Sequence, residues 1–267
     1  MSYCDELCKQ DAQVANAAQE QRQGDGDVDR STCAIIVAGG LGRRFGNPAG
    51  KQYVALAGMP ILCWSVLAAD RAASVCSLVV VTPKGYIAQT QHLIEDTLTL
   101  IHPICYVEGG TTRQESVAHG LSRVPTHCGL IAVHDGARPL AQSEAFEACI
   151  DRLQQDTLLV GAIAATPSID TLKLVEGTTV ISTPDRSFYW CAQTPQIFHR
   201  EALLEAYRLA AQEGFIGTDD ASLVERQGGR VACVDCGKNN LKVTLPEDAL
   251  LAEALLEQRL SQEGCGF

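Results

Sequence analysis

The sequence predicts an α/β fold, a mostly parallel sheet with helices on both faces. Three observations predict it. Short β-rich runs alternate with segments of helical length and pattern. The first of these runs, Ala34-Ile35-Ile36-Val37, leads directly into a glycine-rich turn, Ala38-Gly39-Gly40-Leu41-Gly42-Arg43-Arg44-Phe45-Gly46. Two later strands also end in glycine turns, Glu108-Gly109-Gly110 and Asp135-Gly136-Ala137-Arg138-Pro139. Ligands of such sheets bind beyond the carboxyl ends of the strands, so the three loops should converge on one rim.

Taken in order, residues 1–31 are polar and rich in Gln, Asp and Ala, which predicts a flexible N-terminal extension dispensable for chemistry. The body, 32–267, reads as one domain. It opens with a strand at 33–38, followed by a helix at about 61–69, a strand at 78–82, a helix near 87–98 and a strand at 104–107. A helix across 116–121 and a strand at 130–134 come next. From about 166 to 192 the alternation breaks. Thr171-Leu172-Lys173-Leu174-Val175 and Thr179-Val180-Ile181-Ser182 flank a Glu176-Gly177 turn, which predicts a projecting β-hairpin arm. A lone hairpin is only marginally stable in water, so the arm should pack on something, and a second copy of the chain is the simplest partner. The chain closes with Asn240-Leu241-Lys242-Val243-Thr244 and a helix opened by Pro246-Glu247-Asp248, with acids in its first turn.

Composition narrows the partners. With 267 residues, 46% hydrophobic and 20% charged, the body can bury a real core. Lys plus Arg number 21 against 32 Asp plus Glu, and the net charge of −11 repels nucleic acid and anionic membranes. The few cations beside glycine turns therefore read as a pocket for a small anion. The apolar runs are too short to span a bilayer, and residues 1–31 have neither the apolar centre of a signal peptide nor the acid-poor character of a transit peptide. The expected location is the cytoplasm, where the twelve cysteines read as ordinary thiols. Cys233-Val234-Asp235-Cys236 has C-x-x-C spacing, but zinc needs two more ligands, and the other close pair, Cys4 and Cys8, falls in the extension.

Glycines let backbone N–H groups approach an anion, and Arg43, Arg44 and Lys51 would neutralise it, so the first loop is built for a polyphosphate. A plain strand-to-helix turn explains the glycines but leaves those cations unaccounted for. The loop departs from G-x-G-x-x-G, since Phe45 takes the last position, and Gly50-Lys51 is followed by Gln52 rather than Ser or Thr; NAD and Walker-type ATP binding are thereby disfavoured. In the second loop Arg113 could brace the turn, and Ser116 could cap a helix or hydrogen-bond a base. Asp135 follows a buried strand, where a carboxylate needs a hydroxyl, cation or metal; Arg138 has a plain alternative as its ion-pair partner. Arg186 and Lys242 pass locally for surface charges. His134 reads as a core residue, and neither it nor His119 has a legible general-base partner.

The set Ala38 to Arg44, Lys51-Gln52-Tyr53, Gly109-Gly110 to Ser116, His134 to Pro139, Gln193-Thr194-Pro195-Gln196, Thr218-Asp219-Asp220-Ala221-Ser222 and Lys242-Val243-Thr244 resembles the 2-C-methyl-D-erythritol 4-phosphate cytidylyltransferases, in order from Cys33 to the last helix. The resemblance implies a Rossmann-like fold of the nucleotide-diphospho-sugar transferase type. It implies transfer of CMP from CTP to the methylerythritol phosphate, with release of pyrophosphate, in the non-mevalonate route to isoprenoid precursors. Arg44, Lys51, Arg186 and Lys242 are the implied catalytic cations. Ala38, Gly39, Gly40, Gly42, Gly110, Thr111, Ser116, Asp135 and Gly136 are the implied nucleotide site. Asp135, Arg138, Thr171, Arg186, Thr218 and Lys242 are implied near the polyol phosphate, with Arg186 supplied by the partner's arm in a homodimer. Mg2+ or another divalent cation would be held chiefly by the triphosphate. Gly50 replaces the proline usual before the lysine, Thr111 stands where some members carry an acid, and short members lack the extension. A cytidylyltransferase for another polyol phosphate, such as ribitol 5-phosphate, and a catalytically silent nucleotide-binding dimeric regulator are the competing readings.

Overall fold

A strand that is apolar on both faces has to lie inside a sheet covered on both sides, and β1 (Thr32–Val37) is such a strand. In the computed structural model, which describes residues 30–40, 45 and 50–262, it sits among the central strands of a seven-stranded sheet. The other members are β4 (Val75–Thr82), β5 (Ile104–Glu108), β6 (Leu130–Asp135), β7 (Gly161–Pro167), β10 (Trp190–His199) and β11 (Val231–Asp235), in the order β11-β7-β10-β6-β1-β4-β5. β1 runs parallel to both β4 and β6, β4 to β5, and β11 to β7. β10 alone in this sheet is antiparallel to its neighbours β6 and β7. A two-stranded pair, β2 (Ala55–Leu56) and β3 (Met59–Pro60), stands apart.

Alternation along β1 builds the two layers. Ala34 and Ile36 face one core, shared with Leu62 of α1 (Ile61–Asp70), Ile94 of α2 (Ile87–Thr97), Phe146 of α4 (Ser143–Gln154) and Leu256 of α7 (Pro246–Gln262). Cys33 and Ile35 face the other, with Val117 of α3 (Arg113–Leu121), Leu203 of α5 (Arg200–Glu213) and Val224 of α6 (Asp220–Arg226). The predicted α/β architecture with helices on both faces is therefore the observed one. Among the described residues no helix is long and apolar enough to cross a membrane.

Several bounds shift against expectation: β4 begins at Val75 rather than 78, and the first hairpin strand is Leu174–Glu176 rather than 171–175. α3 begins at Arg113 rather than near 116, because the Thr112 hydroxyl accepts the Glu115 N–H at 3.0 Å and caps the helix. β6 extends one residue further, to Asp135. The expected hairpin forms from β8 (Leu174–Glu176) and β9 (Thr179–Ser182), with Gly177 at φ 59° in its turn. It projects from the sheet, and Leu174, Val175, Val180 and Ile181 are all exposed. The predicted extension lies outside the described residues up to 29; Arg30, at its end, is bound to α4 through Asp151 at 2.7 Å and Glu147 at 3.4 Å.

Candidate active site

The carboxyl ends of β1, β4, β5 and β6 border a cleft of about 770 Å3. Glycines bring two of its loops together. A Cβ on Gly109 would lie 3.2 Å from the Cα of Gly39 and 2.8 Å from Ser116 Oγ, so the loops after β1 and β5 meet backbone to backbone. Ser116 Oγ accepts the Gly110 N–H at 3.1 Å and donates to the Thr112 carbonyl at 2.8 Å. Of its alternatives, capping is taken by Thr112; Ser116 braces the loop from inside the helix and still lines the cleft.

Gly50 explains its own departure from proline. Its φ of 98° lies in the left-handed range, whereas proline is locked near about −65°. The turn it starts carries Lys51, whose Nζ donates to the Val243 carbonyl at 2.6 Å. Lys51 and Lys242 both line the cleft.

At the floor stands Asp135. Lys242 Nζ lies 2.8 Å from its Oδ2, Arg113 Nε 3.4 Å from its Oδ1 and Arg138 Nε 3.4 Å from its Oδ2. Its backbone N–H donates to Thr194 Oγ1 at 3.0 Å. Burial pushes the carboxyl's pKa up, but Lys242, then Arg113 and Arg138, more than reverse this and hold it well below the usual carboxylate range. Burial pulls the Arg113 guanidinium down, yet Asp220 and then Asp135 outweigh it and leave the group more firmly protonated than usual. The second carboxylate, Asp220, is fully buried and accepts from Arg113 Nη2 at 2.8 Å. Arg138 is anchored from below, donating from Nη1 to the Asn240 carbonyl at 2.7 Å. Burial pushes the adjacent His134 down to about 3, so it is neutral and within the core, as its sequence context suggested.

Ala38, Gly39, Gly40, Gly110, Thr111 and Gly136 line the same cleft, together with Lys51, Ser116, Asp135 and Lys242. Arg138 lies beneath it. Thr218 is exposed just before α6 and outside the lining. Thr171 and Arg186 belong to the arm, also outside the lining, and Arg186 Nη1 donates to the Ile169 carbonyl at 2.7 Å. Gly42 and Arg44, with Arg43, fall outside the described residues. Sequence reasoning gave no role to Gln52 or Lys84, which also line the cleft, or to Asp220, and it saw Arg113 only as a turn brace. Asp220 carried one legible signal, a second acid directly after a helix-capping Asp219. A second groove, about 610 Å3 between α3 and α5, is walled largely by apolar residues such as Leu121, Ala210 and Phe215, which does not suit a polyphosphate.

A mostly parallel α/β sheet with a glycine-walled cleft at its strand ends, furnished with lysines, defines a nucleotidyltransferase-like protein. The model of the 2-C-methyl-D-erythritol 4-phosphate cytidylyltransferase family matches residues 32–258. Relatives of that name from Caldanaerobacter subterraneus and Synechococcus elongatus are 38% and 41% identical, each over 84% of this chain and over 98% and 96% of their own lengths. The crystal structure of 4-diphosphocytidyl-2C-methyl-D-erythritol synthase from Anaerococcus prevotii superposes with a TM-score of 0.76 at 28% identity, covering 86% of this chain and 100% of its own. That of the 2-C-methyl-D-erythritol 4-phosphate cytidylyltransferase from Thermus thermophilus gives 0.67 at 31% identity, covering 85% and 98%. The chain belongs to the 2-C-methyl-D-erythritol 4-phosphate cytidylyltransferase family.

A carboxyl whose folded pKa is depressed contributes stability that is complete above its unfolded value, about 3.9, and is lost as pH falls below it. Asp135→Asn should therefore be less stable than the parent by about 3–5 kcal/mol at pH 7, because it strips the buried Arg138 guanidinium of its carboxylate, while Arg113 keeps Asp220. The gap should narrow as both proteins are acidified below about pH 4. Urea unfolding across that range measures it; a gap independent of pH would remove Asp135 from the acid transition.

Proposed function

We infer that the protein transfers the cytidylyl group of CTP to 2-C-methyl-D-erythritol 4-phosphate, releasing pyrophosphate, in the non-mevalonate synthesis of isoprenoid precursors. The observation that carries the assignment of roles is the convergence of the Gly39–Gly40 loop, Lys51 and the Lys242–Asp135 pair on one cleft, in a chain whose family match spans residues 32–258. The loops after β1 and β5 receive the nucleotide, with Ala38, Gly39, Gly40, Gly110, Thr111 and Ser116 around it. A phosphate oxygen of the acceptor attacks the α-phosphorus, the new P–O bond forms as the bond to the bridging oxygen breaks, and pyrophosphate leaves in line. A phosphate monoester with a second pKa of about 6 is largely dianionic at neutral pH, so no general base is required. Catalysis rests on position and on neutralising charge. Lys51, with Arg44, stabilises the α-phosphate and leaving group, while Lys242, Arg138 and Thr218 serve the acceptor side beside Asp135.

The donor set of the cleft suits a magnesium-type ion carried by the substrate. Asp135 is the single carboxylate among the described residues of the lining, and three cations already engage it. Mg2+ keeps waters and takes triphosphate oxygens readily, so it needs few protein ligands. When bound it would supply charge neutralisation on the triphosphate.

The arm completes the reading. Phe188, Tyr189 and Trp190 are exposed beside Arg186, and Phe188 is 82% accessible. A patch of this kind is suited to a partner surface. We propose that a second copy covers it and that each arm delivers Thr171 and Arg186 to the other subunit's cleft, in a cytoplasmic homodimer.

Pyrophosphate release with CTP and magnesium tests the acceptor. Methylerythritol 4-phosphate should support turnover; ribitol 5-phosphate alone doing so would change the pathway but keep the chemistry, and release with neither would leave a binding role. Lys51→Ala should lower turnover by on the order of 10² or more; unchanged turnover would take Lys51 out of the transition state. Arg186→Ala and Lys242→Ala should each be inactive alone. Mixed after subunit exchange, they should recover roughly a quarter of parental activity, because half of the dimers hold one intact site. No recovery would place Arg186 in its own subunit's cleft, and an Arg186→Ala protein active alone would take it out of the site.

A further inference from the structure

At the edge of the sheet opposite the cleft, the amino ends of the central strands gather soft donors that the reaction does not use. Cys33 is the second residue of β1, Cys76 the second of β4, and Cys128 stands two residues before β6, with His127 beside it. The pairing of β1 with β4 slips here: Thr32 faces Val75 while Cys33 faces Ser77, so Cys76 is the extra residue of a bulge. Strict alternation from Val81 and Val79 would send Ser77, not Cys76, towards the face that Cys33 and Cys128 occupy; the bulge lets Cys76 pack there too.

The resulting distances fit a metal. Cys76 Sγ lies 3.5 Å from Cys128 Sγ and 3.8 Å from His127 Nε2, and the three donor atoms are all within 4.8 Å of one another. Tetrahedral zinc, with bonds of about 2.3 Å to sulfur and about 2.0 Å to nitrogen, separates its ligand atoms by roughly 3.5–3.8 Å. Cys33 shares the apolar layer that holds Cys128 but is not one of the three clustered donors. The cluster has no carboxylate, so it discriminates against the hard cations that suit phosphate chemistry and favours zinc-like ions. Cys128 and Cys33 are buried while His127 is exposed, which leaves an entry path from solvent.

We propose that Cys76, His127 and Cys128 bind one soft divalent ion of the zinc type, with water in the fourth position. The thiols release their protons to solvent as the ion enters. Bound there, it would tie the loop ahead of β6 to β4 across β1 and brace the sheet from the side remote from the cleft. The C-x-x-C spacing of Cys233 and Cys236 singled out by the sequence has no part in it.

The test uses the full chain, reduced and stripped with chelator, then titrated with Co2+. One equivalent should bring up intense thiolate-to-cobalt charge-transfer bands and the d–d bands of a tetrahedral centre, and one equivalent of Zn2+ should bleach them. Zinc at a hundredfold over its Kd should raise the melting midpoint by about 5 °C or more. Cys76→Ser should abolish the bands. His127→Ala, a change at an exposed residue that leaves the core intact, should weaken or shift them, whereas the Cys233→Ser/Cys236→Ser double variant should keep them. Absence of bands in folded, reduced protein, their survival in both Cys76→Ser and His127→Ala, or their loss in the double variant would each overturn the site. A Cys76–Cys128 disulfide in protein purified without reductant, joined to failure to bind Co2+ after reduction, would replace it with a redox pair.

Discussion

A nearly buried carboxylate at the floor of a binding cleft has to be held by charge, and much of the cleft's geometry follows from how Asp135 is held. Its three cations come from three places: Arg113 from the start of α3, Arg138 from the turn after β6, and Lys242 from the segment before α7. The same segment is fixed at two further points, where the Val243 N–H donates to the Ala137 carbonyl at 2.8 Å and Lys51 donates to the Val243 carbonyl. One ion cluster thus sets the relative positions of the second and third loops and of Lys51 and Lys242. Buried ion pairs of this sort seldom add stability over a well-packed apolar alternative, so their presence here is better explained by what the cleft must hold. The three cations are also unequal. The Lys242 side chain is 42% exposed, that of Arg113 30% and that of Arg138 only 9%, so Lys242 and Arg113 combine contact with Asp135 and access to an incoming anion, while Arg138 is held back from it.

The protein's overall charge sharpens this arrangement. A net charge of −11 repels anions over most of the surface, whereas Lys51, Lys84, Arg113 and Lys242 meet along one cleft. Field lines concentrate where like charges line a concave, low-dielectric wall. An anion twice phosphorylated or more is drawn to this cleft, while a polyanion that must lie across a broad surface meets repulsion. The glycine contact between Gly39 and Gly109 adds a steric condition, since it clears side chains from the place where the two loops touch.

Much of this was legible in the residues. The alternation of strands and helices, the three loops at one rim and the hairpin arm all follow from local pattern, because each is written in consecutive residues. The less legible features depend on pairing between distant segments. α3 starts three residues earlier than its apolar pattern suggests, because Thr112 supplies the cap. Arg113 joins Asp135 to Asp220 across 22 and 107 positions, which no spacing rule reveals. Lys242 read locally as a surface charge and is instead the nearest cation to Asp135. The thiol cluster was hidden twice over. Its members lie on or beside three strands whose order in the sheet is not their order in the chain, and Cys76 reaches it through a bulge.

The two rims of the sheet differ in the ions they can hold, and the difference is a matter of donor chemistry. Among the described residues, the cleft lining offers one carboxylate, already engaged by cations, and no thiol or imidazole. A soft ion finds no ligand there, while a hard one can arrive on phosphate oxygens. At the opposite rim the donors are sulfur and imidazole nitrogen with no carboxylate among them, so a hard ion has nothing to exchange its waters for. Were the cleft to take a magnesium-bearing nucleotide, as proposed, a zinc-type ion at the opposite rim of the same sheet would not compete with it. The sorting is achieved by which residues stand at the carboxyl and amino ends of β1, β4 and β6.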